Sequence, residues 1–321
     1  MHLILEKYFR ILQSITFTKE GRNMKLGMIG LGKMGLNLVT NLQNHDHQVI
    51  AYDLDETARA QAAKVGAQPA SDTTELIAQL ATPRIIWVMV PAGKITQSVI
   101  TELSQQLSAG DIVIDGGNSF YRDSIAHSEL LATKGINFFD VGTSGGMAGA
   151  LNGGNFMIGG DQDLFKTIEP IFQSIAAPAG YLYTGAVGSG HYLKMIHNGI
   201  EYGMMQAIAE GFDVLEHSEY KYDHAAVADM WNHGSVIRSW LMELAAAAFK
   251  EDPGLKHLQG KMYSSGEGKW TLEEAIRLQV PTPVIAASLM NRYRSLEDDT
   301  YTGKVVAALR NQFGGHAVDK K

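Results

Sequence analysis

Three features of the sequence predict a Rossmann-like, doubly wound α/β sheet followed by an all-α helical domain. Gly30-x-Gly32-x-x-Gly35 stands between a short apolar run, Lys25 to Gly30, and an apolar-periodic segment, Met34 to Leu42. Strand-like and helix-like segments then alternate as far as Tyr181-Leu-Tyr183. Beyond that point strand signals stop and only helical periodicity remains.

Taken in order, the first glycine of the turn permits a tight bend and the second lets a pyrophosphate approach the backbone. The third lets helix and strand pack closely, with the phosphates at the helix N-terminus. Gly30, Leu31, Gly32, Met34 and Gly35 are therefore cofactor-binding candidates. The next strand, Gln48-Val-Ile-Ala-Tyr-Asp53, ends in an acid 18 residues after Gly35, which turns a weak glycine motif into a strong one. Asp53 can accept both ribose hydroxyls of NAD. It repels a 2′-phosphate, and Leu54 supplies no compensating charge, so NAD is expected and NADP is the weaker alternative.

Arg84 to Val90 and Asp111 to Asp115 are continuous apolar runs of the kind found in parallel strands covered on both faces. Thr96 to Leu107 and Ser124 to Lys134 are expected as helices, and Ile136 to Val141 as a further strand. Ligands of such a sheet lie beyond the strand C-termini. Three expected loops occupy that edge: Pro91-Ala-Gly93, Gly116-Gly-Asn118-Ser119 and Gly142-Thr-Ser144-Gly145-Gly146. Val90, Pro91 and Asn118 are cofactor candidates there.

In the helical half, Gly188 to about Glu216 reads as one long helix. Segments 223–249, 269–279, 282–296 and 300–311 follow as further helices, with Ser265-Gly-Glu-Gly-Lys269 as a glycine-rich loop leading into one of them. The expected domains are 24–185 and 186–321. On the long helix Lys194, His197, Asn198, Glu201 and Tyr202 fall at i, i+3, i+4, i+7 and i+8, which places them on one face. The remainder is apolar, with Met195, Ile196, Ile200, Met204 and Met205, so the helix is expected to be buried, with its polar stripe facing either another part of the protein or a wet cleft. An amine, an imidazole, a carboxamide, a carboxylate and a phenol can hold and protonate a small polar molecule.

Composition bounds the function. The chain has 321 residues, long enough for two domains. A net charge of −7 argues against broad nucleic-acid binding. With no cysteine, disulfides, thiolate metal sites and a cysteine nucleophile are excluded. No run of about 18 apolar residues is present, so no membrane-spanning helix is expected, and the expected location is the cytoplasm. Residues 1–23 lack a signal-peptide layout, because Glu6, Lys7 and Arg10 interrupt any apolar core. They are read as an N-terminal extension.

Over roughly Met24 to His316 the chain resembles the 6-phosphogluconate dehydrogenase family of the β-hydroxyacid dehydrogenase superfamily. The resemblance is carried by Ile114-Asp-Gly-Gly-Asn118-Ser, Gly142-Thr-Ser144-Gly145-Gly146 and Lys194-Met-Ile-His197-Asn198-Gly-Ile-Glu201-Tyr202. Gly266-Glu-Gly-Lys269-Trp-Thr and Arg310…Phe313-Gly-Gly-His316 add to it. It implies Lys194 as general base and Glu201 as general acid, with no metal. It implies substrate contacts at Asn118, Ser144, Gly145, Gly146, His197, Asn198 and Tyr202, with Arg292 on a phosphate. Arg310 and His316 match a tail pair that reaches a neighbouring subunit's site, so a homodimer or homotetramer is expected. The implied activity is oxidative decarboxylation of 6-phospho-D-gluconate in the pentose phosphate pathway or gluconate utilization.

Where longer members carry a phosphate-binding lysine this chain has Ser265, and Lys269 or Lys304 is the expected substitute. Those members also continue through a second helical repeat, so this chain resembles a short class. Two alternatives stand beside this reading: a β-hydroxyacid dehydrogenase for a smaller unphosphorylated acid, and a non-catalytic NAD-binding protein.

Overall fold

The computed structural model describes residues 23–320; the extension expected at 1–23 lies almost wholly outside them. The chain divides into two compact units, the first ending at Lys194 and the second beginning at Met195.

The first unit is built on β1 (Lys25–Ile29), α1 (Lys33–Asn44), β2 (Gln48–Tyr52), α2 (Glu56–Lys64), β3 (Gln68–Pro69), α3 (Thr73–Ala78) and β4 (Ile85–Val88). It continues with α4 (Lys94–Gln106), β5 (Ile112–Asp115), α5 (Tyr121–Ala132), β6 (Asn137–Ser144), α6 (Gly146–Asn152), β7 (Gly154–Gly159), α7 (Gln162–Ile175) and β8 (Ala176–Gly185). The strands form one sheet in the order β3-β2-β1-β4-β5-β6-β7-β8. All neighbours are parallel except β6 and β7, which run antiparallel. The order reverses between β1 and β4, which is where a doubly wound sheet opens its ligand crevice.

Period-two alternation explains the two cores. Along β4, Ile85 and Trp87 enter one apolar cluster with Leu38, Leu42 and Phe172. Ile86 and Val88 point the other way, into a cluster with Ile100, Leu103 and Leu131. Both faces are thus covered, as the unbroken apolar runs predict. Asp161 caps α7 by accepting from the N–H groups of Asp163 and Leu164, a contribution of about 1 kcal/mol for such a cap.

One local expectation is corrected here. Gly142 to Ser144 is strand, because β6 gains β7 as a second partner and pairs with it as far as Ser144 opposite Asn155; the turn begins only at Gly145. The antiparallel strand β7 and the helices α2, α3, α6 and α7 were not read from the sequence.

The helix α8 (Ser189–Glu216) is continuous for 28 residues and carries the chain from the first unit into the second. The second unit adds α9 (His224–Asn232), α10 (Trp240–Glu251), α11 (Gly266–Leu278), α12 (Pro283–Arg294) and α13 (Tyr301–Gly314). The described residues beyond Gly185 contain no strand. Phe212, Ala228, Met242 and Phe249 form a core joining α8, α9 and α10.

The helix expected over 223–249 is two helices. His233 is extended and Gly234 has φ +83°, after which Ser239 caps α10 by accepting from Met242 N–H. The glycine-rich loop at Gly266 to Lys269 is instead the first turn of α11. The burial expected for the apolar part of α8 is also corrected: Leu193, Ile200 and Met204 are exposed, whereas Lys194 and Tyr202 of the polar stripe are buried.

Candidate active site

At the β1–α1 turn each glycine has a physical reason. Gly30 has φ +97°, and a Cβ there would overlap the Met89 carbonyl oxygen. A Cβ on Gly35 would overlap the Gly30 carbonyl oxygen, so helix and strand approach as closely as backbones allow. A Cβ on Gly32 would meet nothing within 4 Å. That open space, before a helix N-terminus with no side-chain cap and no acid in its first turn, fits a dinucleotide pyrophosphate.

Asp53 lies beside this turn. Its Oδ2 accepts from Leu31 N–H at 2.6 Å and its Oδ1 from Asp55 N–H at 2.9 Å. Leu54 is exposed. An arginine that sequence reasoning passed over stands nearby: Arg59 Nη1 donates to the Asp53 and Leu54 carbonyls at 2.7 and 3.2 Å. Its position one helical turn into α2, rather than directly after the acid, hid it.

The other strand ends converge on the same edge. Val90 flanks Gly30, and Thr96 Oγ1 donates to the Pro91 carbonyl at 2.9 Å, fixing that turn. Met34 packs partly buried on the first core cluster. Asn118 has φ +52° and spends its carboxamide on the backbone of Thr143, donating to the carbonyl at 3.1 Å and accepting from the N–H at 2.8 Å. It therefore ties the turn after β5 to the strand that ends in Ser144. Gly145 and Gly146 follow with φ +105° and +57°, and a Cβ on Gly146 would meet nothing.

Lys194, at the end of the first unit, is 5% exposed. A Cβ on Gly142 would overlap the Lys194 Cβ, so the strand's glycine makes room for the base of this lysine. Beneath it, Asp140 is fully buried on β6 and accepts from Gly188 N–H at 2.6 Å and His191 N–H at 2.7 Å. Burial pushes the Asp140 carboxyl up, and His191 with the two amides pulls it back down. Sequence reasoning missed Asp140. An acid inside an apolar strand run is the signal that could have found it, since a charge buried on both faces of a sheet demands partners.

In the second unit, His197 Nδ1 donates to Asn198 Oδ1 at 3.0 Å and lies 3.7 Å from Glu201 Oε2. Tyr202 hydroxyl is 3.0 Å from Ser265 Oγ and accepts from Ser265 N–H at 2.9 Å. The Arg292 guanidinium stacks 3.7 Å from the Tyr202 ring centroid, and its Nη1 donates to the Tyr263 carbonyl. Gly268 allows this closeness, because a Cβ there would crowd the Tyr202 ring. The two expected substitutes for the missing lysine are otherwise engaged: Lys269 Nζ lies 3.4 Å from Glu273 and Lys304 Nζ 2.9 Å from Asp299. Arg310 and His316 are exposed on and after α13, apart from this cluster in sequence and joined to it by no described bond.

Residues 25–188 match the profile of the NAD binding domain of 6-phosphogluconate dehydrogenase, and residues 190–308 match that enzyme's C-terminal domain. YqeC of Bacillus subtilis, a provisional 6-phosphogluconate dehydrogenase, is 55% identical over 93% of this chain and 100% of its own length. The NAD(+)-dependent, decarboxylating 6-phosphogluconate dehydrogenase of Haloferax volcanii is 41% identical, over 93% of this chain and 99% of that one. Among solved structures, Plasmodium falciparum 6-phosphogluconate dehydrogenase, described with NADP+ and with 6-phosphogluconate, superposes with a TM-score of 0.79. It is 30% identical and covers 92% of this chain and 67% of its own. A Mycobacterium tuberculosis 3-hydroxyisobutyrate dehydrogenase shares the fold, with a TM-score of 0.69 at 21% identity, 89% of this chain and 99% of its own. With both halves matched in order, this chain is an oxidoreductase with an NAD-binding domain, and it belongs to the 6-phosphogluconate dehydrogenase family.

Proposed function

We propose that this chain oxidises and decarboxylates 6-phospho-D-gluconate to ribulose 5-phosphate and CO2, with NAD as the preferred acceptor. The observation that carries the reading is the cluster of Tyr202, Ser265 and Arg292 directly after Glu201. It offers a guanidinium, a phenol and a hydroxyl for a phosphate, and an arginine fork suits two phosphate oxygens at once. The cationic role expected of Lys269 or Lys304 falls to Arg292, since both lysines face acids.

In this reading NAD, held at the Gly30-to-Gly35 turn and Asp53, would supply the hydride acceptor for C3 of the substrate. Lys194 takes the C3 hydroxyl proton. For that it must be neutral, against a free value near 10.4. As an ammonium it then polarises the new C3 carbonyl while the carboxylate leaves as CO2. Glu201, two turns or about 10 Å further along the same helix, protonates C1 of the resulting enediol. His197 and Asn198 hold substrate hydroxyls, and Ser144, Gly145 and Gly146 offer backbone groups to the carboxylate. Asn118 acts through its bonds to Thr143, and Asp53 accepts from the ribose.

Completion of the site in trans by Arg310 and His316 requires at least a dimer. Supporting this, α13 has no buried residue, and Tyr301, Val305, Leu309 and Phe313 form an exposed apolar stripe at i, i+4 spacing along it. One observation favours a second reading. Ser265 replaces a lysine and the nearby Glu267 carboxylate is buried, which suits a smaller unphosphorylated 3-hydroxy acid. Rates of NADH formation with 6-phosphogluconate, gluconate and 3-hydroxyisobutyrate separate the two. Turnover confined to the phosphorylated acid is expected, and preference for either unphosphorylated acid overturns the proposal.

A further inference from the structure

The first turn of α8 has an unusual anchor. A helix normally caps its own first amides with a side chain from the N-cap position. Here that position is Gly188, which has no side chain, and the acceptor comes from a strand instead. Both oxygens of the buried Asp140 carboxylate are used, one on Gly188 N–H at 2.6 Å and the other on His191 N–H at 2.7 Å. Glycine removes every obstacle to the contact: a Cβ on Gly190 would overlap the Asp140 and Met157 carbonyl oxygens, and one on Gly142 would overlap Lys194 Cβ. His191 is itself buried, and its Nδ1 shares a hydrogen bond of 2.7 Å with Ser124 Oγ on α5. Lys194 is the next residue on that face, one turn beyond His191.

We propose that Asp140 is a positioning residue for Lys194: by holding the first turn of α8 against β6, it fixes the root of the lysine side chain. The inference rests on the reading of Lys194 as the base. A carboxylate accepting two backbone N–H groups is a charge-assisted clamp with no freedom to swing. An asparagine of the same shape can accept with only one atom and presents a donor to the other amide. Reactant geometry is sensitive to such shifts, since a displacement of about 1 Å can cost roughly 10²-fold in rate.

The test uses the full chain and the variants Asp140→Asn, Gly142→Ala and Lys194→Ala. For each, kcat, KM for the sugar acid, NAD affinity by fluorescence titration and the melting transition are measured. Asp140→Asn is expected to lose kcat by about 10²-fold while NAD affinity is unchanged, a split that general loosening of the fold does not produce. Gly142→Ala pushes directly on the lysine root and on the Gly190 carbonyl of the same turn, and is expected to show the same split. An Asp140→Asn variant with wild-type kcat overturns the inference, as does one in which kcat and NAD affinity fall together. If Asp140→Asn does not fold, a Gly142→Ala variant with wild-type kcat overturns the inference, because the root of the lysine would then tolerate displacement. An inactive Lys194→Ala beside a fully active Asp140→Asn overturns this inference alone, whereas an active Lys194→Ala overturns the base assignment and the inference with it.

Discussion

Lys194 is a lysine with almost no solvent exposure, placed where a glycine on the neighbouring strand leaves room for it. Removing the amine by Lys194→Ala should abolish turnover while leaving NAD binding largely intact, as read by a fluorescence titration; near-normal turnover would contradict the assignment. At the β1–α1 turn, Asp53 Oδ2 is bonded to Leu31 N–H, which orients its charge. Asp53→Ala should weaken NAD binding and raise relative use of NADP, because repulsion of a 2′-phosphate disappears while Arg59 remains. The double variant Asp53→Ala with Arg59→Ala should lose that gain. An unmodified protein with higher kcat/KM for NADP than for NAD would refute the role given to Asp53.

Elements show where sequence reading succeeds and why it stops. The long helix α8 and the polar stripe on it were legible because the 3.6-residue period acts within one segment. The split of 223–249 was not, because it depends on a single backbone conformation at Gly234 in a stretch whose side chains still alternate helically. The extension of β6 through Ser144 was hidden for a different reason. Its pairing with β7 is long-range, and glycine with a short polar residue reads locally as a turn. At the site, Tyr202 and Arg292 were named from the sequence, but the stacking of one on the other was not. That contact joins α8 to α12 across some ninety residues of chain, and no local pattern encodes it. If this pair holds a phosphate, Arg292→Ala removes a charge-assisted contact of about 1.5–3 kcal/mol. KM for the phosphorylated acid should then rise by roughly 10- to 100-fold with NAD affinity unchanged. An unaltered KM would show that the anion is held elsewhere.

At the scale of the molecule, the buried histidines of the first unit set an acid limit. Burial lowers His127 and His47 below the ordinary histidine range, although Asp115 and Asp123 pull His127 back up. Just below the unfolded value of about 6.5 the unfolded chain binds the extra protons and the native chain does not. Stability should therefore decline as pH falls through that window, and level off below the depressed native values. Asp140, whose carboxyl is raised by burial, acts with the opposite sign: its contribution grows as pH falls through its native value. His127→Gln should show a smaller loss of melting temperature than the unmodified chain between neutral pH and this window; an identical slope would remove His127 from the account. The exposed apolar stripe of α13 belongs to the same scale. Truncation after Arg310 should raise substrate KM more than it weakens NAD binding, and unchanged KM would make His316 a bystander.

Fold class, cofactor half and the long helix with its polar stripe were all recognisable before any coordinates, since glycine spacing and a polar stripe are local signals. The partners that pin them, Asp140 beneath Lys194 and Arg292 on Tyr202, became visible only with the fold. The central claim is that these parts carry out one oxidation coupled to one decarboxylation. The most direct measurement follows NADH and released CO2 together from 6-phosphogluconate with NAD and no added metal. Equimolar NADH and CO2 are predicted. NADH without CO2, or neither product, would contradict the account.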